Sequence, residues 1–167
     1  MSTQTGAAAG AAVLDTGAQT GSQCLSFRIG EEEYGIDILR VQEIKGYSNI
    51  TRIPNTPPHI KGVINLRGAV VPVVDLRAKF SMELMEYTKF TVIILVAVAS
   101  KTMGLIVDAV SDVLDIKEED IQAPPELGVS VDTRFMRGMT TVNERLVAIL
   151  DVDRLLGEDL AAAGGVD

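Results

Sequence analysis

The residues of this sequence that could carry out chemistry are few: one histidine, His59, one cysteine, Cys24, and an acidic run at Glu118-Glu119-Asp120. A histidine acting as general base needs a nucleophile on one side and an orienting group on the other. His59 follows Pro57 and Pro58, which makes it a surface loop residue by its neighbourhood. Cys24 opens an alternating apolar stretch, where a small buried side chain is the plainer role than a nucleophile. A single cysteine excludes an intrachain disulfide, and with no Cys-x-x-Cys and one histidine there is little to hold zinc. The acidic run after Lys117 lacks calcium-loop spacing and suits a solvated helix start, where carboxylates favour the amino end. No glycine pattern for cradling a triphosphate or a dinucleotide occurs. The sequence is therefore read as having no catalytic residues, no metal and no cofactor.

Three other residues stand out by their setting. Arg67 sits in the turn Asn65-Leu66-Arg67-Gly68, where a small polar residue would suffice, and so mounts a forked donor on a rigid support. An ordinary exposed turn arginine is the alternative. Gly62 and Gly104 interrupt apolar strand patterns, where glycine weakens a sheet unless a bulge or a close approach requires it. A barrel corner or the approach of a partner would each account for them.

The elements that position these residues are mostly strands. Hydrophobic residues make up 47% of the 167, and only 4% are aromatic; much of the apolar bulk is β-branched, which suits a pleated sheet. Cys24–Ile29 alternates apolar and polar, an acidic turn follows, and Tyr34-Gly35-Ile36 restarts a strand. Asp37–Ile44 has helical spacing with Asp37 as N-cap, or is a short helix running into a strand. Pro54, Pro57 and Pro58 impose a loop. Ile60–Ile64 and Ala69–Val74 flank the Asn65–Gly68 turn as a hairpin. Asp75 caps a short helix, and Phe90–Ala99 and Thr102–Val107 form a second strand pair.

That second pair begins an internal repeat. Tyr34-Gly35-Ile36 matches Met103-Gly104-Leu105, and Val41–Ile44 matches Val110–Val113. Lys61-Gly62-Val63 matches Arg137-Gly138-Met139, and Val71–Leu76 matches Val147–Val152. Each copy holds five short strands, too few for a sandwich of its own, and closure into a barrel removes the open edges. The expected fold class is all-β with a few short helices: two small five-stranded barrels packed together, formed by the sequence halves at roughly 23–90 and 91–157. A single ten-strand sandwich is the competing arrangement. Residues 1–22, poor in large apolar side chains, and residues 158–167 are expected to be disordered tails.

Charge and hydropathy limit the function. The net charge is −8, with nine Lys/Arg against eight Asp/Glu over Gln23–Phe90 and six against fourteen from Thr91 onward. No positive face is left for phosphate contacts, so nucleic acid is excluded as a partner. The longest apolar run, Val92–Ala99, falls well short of the ~20 residues of a membrane helix. The amino terminus has no secretory pattern. A cytoplasmic protein without direct membrane insertion is expected.

Three segments then converge on one family. Glu31–Ile44 (EEEYGIDILRVQEI), Ile60–Arg77 (IKGVINLRGAVVPVVDLR) and Gly104–Leu114 (GLIVDAVSDVL) resemble the CheW family of bacterial chemotaxis coupling proteins, with similarity from about Leu25 to Leu156. The resemblance implies two SH3-like barrels around a shared hydrophobic core and no catalysis. It implies an adaptor recruited to membrane-associated receptor arrays, joining the cytoplasmic tip of methyl-accepting chemotaxis receptors to the regulatory domain of the histidine kinase CheA. Carried onto this chain, the receptor-binding residues are Val41, Glu43, Gly62, Arg67, Val92, Gly104 and Val110. The kinase-binding residues are Gln122, Glu126 and Leu127. The chain departs from its relatives at Gln122 and Leu127, where a basic and an aromatic side chain are expected.

The resemblance leaves competing functions to weigh. A CheW-like regulatory module of a kinase is opposed by the initiating Met1 and the two tails. An enzyme with an unusual site is opposed by the missing constellations. An oligonucleotide-binding barrel is opposed by acidity and by only seven aromatic residues for stacking.

Overall fold

A computed structural model of the chain describes residues 21–123 and 133–163. Residues 1–20 of the expected amino-terminal tail, and Glu126 and Leu127 of the expected kinase contact, lie outside the described residues. The elements in chain order are β1 (Gly21–Ile29), β2 (Glu32–Asp37), β3 (Val41–Gly46), β4 (Ile60–Leu66), β5 (Ala69–Asp75), α1 (Leu76–Lys79), β6 (Val92–Val98), β7 (Lys101–Val107), β8 (Ala109–Lys117), β9 (Met136–Val142), β10 (Arg145–Leu150) and α2 (Val152–Ala162). Between β2 and β3 the chain makes one 3-10 turn, Ile38–Arg40, in which the Asp37 carboxylate accepts from the Leu39 N–H at 2.9 Å. Of the two readings open for Asp37–Ile44, the short helix running into a strand is the one formed.

The ten strands make two five-stranded sheets, ordered β3-β6-β7-β5-β4 and β8-β1-β2-β10-β9. Moving from one copy of the repeat to the other turns either order into its counterpart. The parallel pair in each sheet keeps the same register: Val73 lies opposite Gly104, and Ile149 opposite Gly35. Asp75 caps α1 by accepting from the Arg77 N–H at 2.9 Å, and Asp151 caps α2 by accepting from the Arg154 N–H at 3.1 Å. Gly35 and Gly104, and likewise Asp75 and Asp151, hold equivalent places.

The expected division into sequence halves is corrected. One barrel is continuous from Val41 to Val107. The other is assembled from β1 and β2 together with β8, β9 and β10, so each barrel takes strands from both copies of the repeat. The chain passes between barrels twice, at Ile38–Arg40 and at Asp108. Pairing across the copies is possible because β2 and β7 each offer one edge to their own hairpin partner and one to a strand from the other copy.

Each sheet curls until its end strands meet. Beyond β3, Thr51 and Val63 of β4 exchange backbone hydrogen bonds of 2.9 and 2.8 Å; beyond β8, Gln122 and Met139 of β9 exchange two of 2.8 Å. Inside the continuous barrel lie Ile64, Val71, Val73, Ile93, Leu95 and Ile106; inside the other lie Cys24, Ile116, Val147 and Ile149. The opposite faces of the same strands meet in a shared core that includes Leu25, Phe27, Ile36, Val74, Ile94, Met103, Leu105 and Leu150. Strands buried on both faces account for runs such as Val92–Val98 that are apolar almost throughout.

The expected carboxy-terminal tail is corrected over residues 158–163, residues 164–167 lying outside the described residues. α2 continues through Glu158 to Ala162, with Leu155, Leu156 and Asp159 buried on the shared core's side. Asp159 is 3% exposed. Its carboxylate is 2.6 Å from Lys79 Nζ and 2.6 Å from His59 Nε2, which supplies the pairing that a buried charge requires. Composition alone, rich in alanine and glycine, hides that anchor.

Candidate functional site

Arg67 and Gly68 are the two central residues of the β4–β5 hairpin, and both have positive φ, 51° and 90°. A turn of this hand matches the twist of the flanking strands, and Asn65 braces it by accepting from the Gly68 N–H at 3.0 Å. The mount is therefore backbone, and the Arg67 guanidinium is left free to reach outward. It reaches Glu43 on β3: Arg67 Nη2 donates to Glu43 Oε1 at 2.9 Å, with the arginine side chain 71% exposed. The hydrogen bond from Arg67 holds the Glu43 carboxyl below its ordinary range. The structure thus brings two of the expected receptor residues together as one exposed, polar feature on the continuous barrel.

Val41, Val92 and Val110 share a different setting. All three are half-buried and pack against the rim of the shared core, Val41 and Val92 from the continuous barrel and Val110 from its neighbour. They form the apolar border where the two barrels meet.

Gly62 and Gly104 are buried, and each has a reason within the fold. At Gly62, with φ 150°, a β-carbon would sit 2.0 Å from the Thr51 carbonyl oxygen, which makes this glycine the closing point of its barrel. Its counterpart Gly138, with φ 156°, meets the Gln122 carbonyl oxygen at 2.5 Å. Gly104 faces the barrel interior, where a β-carbon would press to 2.9 Å on Ile93. Of the two explanations open for these glycines, the barrel accounts for both.

Gln122, exposed, follows β8 and carries the closing bridge of its barrel. The acidic residues Glu118–Asp120 form a 3-10 turn, with Glu118 bound to Arg137 at 2.8 Å. Among the described residues no group of three or more His, Cys, Asp or Glu is placed to hold a metal ion. No helix there is long and apolar enough to cross a membrane. Cys24 is buried, and burial, reinforced by the Asp37 charge, pushes its thiol up to about 11.

Sequence reasoning missed two features. His59 is not a free loop residue: with Lys79 and Asp159 it borders a cavity of about 560 Å³ beneath α2. No local pattern connects residues 100 positions apart. The other feature is a matched set of exposed apolar side chains. Ile44 and Val70 on the continuous barrel are 43% and 48% exposed; Val113 and Leu146, their counterparts in the repeat, are 45% and 50% exposed. The offsets already found in the repeat were the available signal, read against exposure instead of burial.

The two barrels differ in charge. Residues 41–107 carry eight Lys/Arg and four Asp/Glu, whereas residues 21–40, 108–123 and 133–163 together carry seven and fifteen. A cationic and an anionic body share one hydrophobic core.

Comparison with known proteins is consistent along the chain. A family profile described as CheW-like domain matches residues 23–160. The chain is 44% identical over 151 residues to the chemotaxis protein CheW of Klebsiella aerogenes, a match covering 90% of this chain and 91% of the relative. It is 36% identical over 142 residues to CheW of Bacillus subtilis, covering 84% and 90%. Among solved structures, the scaffolding protein TtCheW from Thermoanaerobacter tengcongensis superposes with a TM-score of 0.76 at 36% identity, covering 83% of this chain and 89% of that one.

Proposed function

This chain belongs to the CheW family of chemotaxis scaffold proteins, and from that premise we propose that it is a non-catalytic cytoplasmic adaptor holding receptor tips and the kinase CheA on separate faces. The observation that carries the reading is the Glu43–Arg67 pair: an exposed arginine on a braced hairpin, tethered to a carboxylate on the neighbouring strand, in a part of the chain that resembles the family's receptor surface. Elsewhere on the molecule, the half-buried valines Val41, Val92 and Val110 supply apolar area at the border between barrels. An apolar groove with a polar rim is a recurring way to hold a helix, the form of a receptor tip.

The kinase contact is assigned to Gln122, on the anionic barrel, and to Glu126 and Leu127, which follow it in the sequence. Opposite charge on the two barrels supports the use of two surfaces for two partners, since like charge repels the wrong one. A rigid double barrel mounts both with little ordering on binding.

Titration of the wild-type and Arg67→Ala proteins against a receptor cytoplasmic fragment and, separately, against the regulatory domain of CheA tests this. The receptor arm is expected to lose about 1–3 kcal/mol, as for other interface anchors, with kinase affinity unchanged. Equal losses in both arms would mean that the surfaces are one. No loss in either would remove Arg67 from the contact. In parallel, calorimetry with ATP is expected to show no binding, and micromolar binding would overturn the non-catalytic reading.

A further inference from the structure

Two ion pairs occupy the two places where the chain crosses between barrels, and their helix-borne members, Arg77 and Asp153, are related by the repeat and carry opposite charge. At the second crossing, Asp108 accepts from Arg77 twice, Nε to Oδ1 at 3.0 Å and Nη2 to Oδ2 at 2.6 Å. The same carboxylate accepts from the Gly30 N–H at 2.8 Å, in the β1–β2 turn of the discontinuous barrel. Arg77 is the second residue of α1, on the continuous barrel.

At the first crossing the roles are inverted. The junction residue is the cation: Arg40 donates from Nε to the Ala97 carbonyl at 3.2 Å, in the β6–β7 hairpin of the continuous barrel, and its guanidinium is paired with Asp153. Asp153 is the second residue of α2 and the counterpart of Arg77, as the offset of 76 requires. In both places a junction side chain binds the backbone of one repeat copy's first hairpin, on one barrel, and at its charged end the second residue of the helix that follows the same copy's fifth strand, on the other barrel. The inverted polarity excludes exchange: each cation would meet another cation in the other clamp's place.

We propose that these two clamps set the angle between the barrels, and with it the spacing of the half-buried valines at their border. The polypeptide supplies only one 3-10 turn and one residue at the crossings. Short links leave the angle to the contacts between the two bodies, where these paired charges act at the edge of the shared core. The Arg77–Asp108 clamp is the stronger, because its side chains are 13% and 32% exposed; Arg40–Asp153, at 29% and 64%, is open to screening and yields first as ionic strength rises. The inference concerns the protein alone and holds whatever binds at that border.

Spin labels at Val70→Cys and Leu146→Cys, equivalent exposed positions on the two barrels, in a Cys24→Ala background, report the angle as an electron–electron distance. Asp153→Ala and Asp108→Asn each remove one charge, and the asparagine retains an acceptor for Gly30. The expected result is a broadened and shifted distance distribution in each variant, larger for Asp108→Asn, with amide exchange protection retained in β1 and β6. Distributions that superpose on the parent's in both variants would overturn the proposal. So would unfolding of either barrel, seen as collapse of protection throughout its strands, since the pairs would then hold the barrels folded and not only their angle.

Discussion

Gly62 and Thr51 meet so closely that only a glycine can occupy position 62. The Gly62 backbone runs beneath the Thr51 carbonyl with φ 150°, while the next residue, Val63, exchanges both of its hydrogen bonds with Thr51. The last bridge of the barrel is thus made by a segment outside the regular strands, and it depends on a missing side chain.

A methyl group at position 62 must displace Thr51 or open the bridge. Gly62→Ala is expected to cost at least about 2 kcal/mol, combining steric overlap with a backbone conformation unfavourable to L-residues. Gly138→Ala is expected to behave alike in the other barrel. Urea unfolding measures both, and a cost below ~0.5 kcal/mol at either site would contradict the closing role. For the same reason, loss of receptor coupling in a Gly62→Asp protein reports unfolding unless circular dichroism shows the barrel intact.

The buried carboxylate of Asp159 is expected to be a point of high sensitivity. Asp159→Ala strands Lys79, whose side chain is 6% exposed, without its counter-ion. Removal of one partner of a buried pair costs about 3–5 kcal/mol, whereas replacing both with apolar groups is often near neutral. The double variant Lys79→Met, Asp159→Leu is expected to recover most of the loss in chemical denaturation. Equal destabilisation of the single and double variants would mean that the pair is not the reason α2 is held.

Acid is expected to act through Asp108. Burial raises its pKa, but the Arg77 hydrogen bonds and the Gly30 N–H outweigh burial and hold it below the ordinary value of 3.8. A carboxyl depressed in the folded state binds protons more readily when unfolded, so its contribution is complete above that ordinary value and is lost as pH falls through the depressed one. Urea midpoints between pH 7 and pH 3 are expected to fall more for the wild type than for Asp108→Asn. Parallel curves would show that Asp108 does not couple to folding.

Much of this architecture was legible in residue order. Period-two alternation, the Asn65–Gly68 turn and the capping aspartates Asp75 and Asp151 are local signals, set by backbone sterics and short-range hydrogen bonds. The repeat offsets carried equivalence as far as Gly35 with Gly104. Arg67 was visible because an arginine in a tight turn has no local purpose.

What tertiary structure alone decided is which strand pairs with which. A five-stranded repeat written twice can close copy by copy or across copies, because the same apolar faces are buried either way, and nothing in the pattern of side chains distinguishes the two. The choice rests on the crossings at Ile38–Arg40 and Asp108, too short to return a strand to its own copy's barrel, and on contacts made far apart in the chain. Arg77 finds Asp108, Lys79 and His59 find Asp159, and Gly62 finds Thr51 only once both barrels exist. Local chemistry thus determined the elements and the turn that mounts Arg67. Long-range packing determined the barrels and the anchoring of α2.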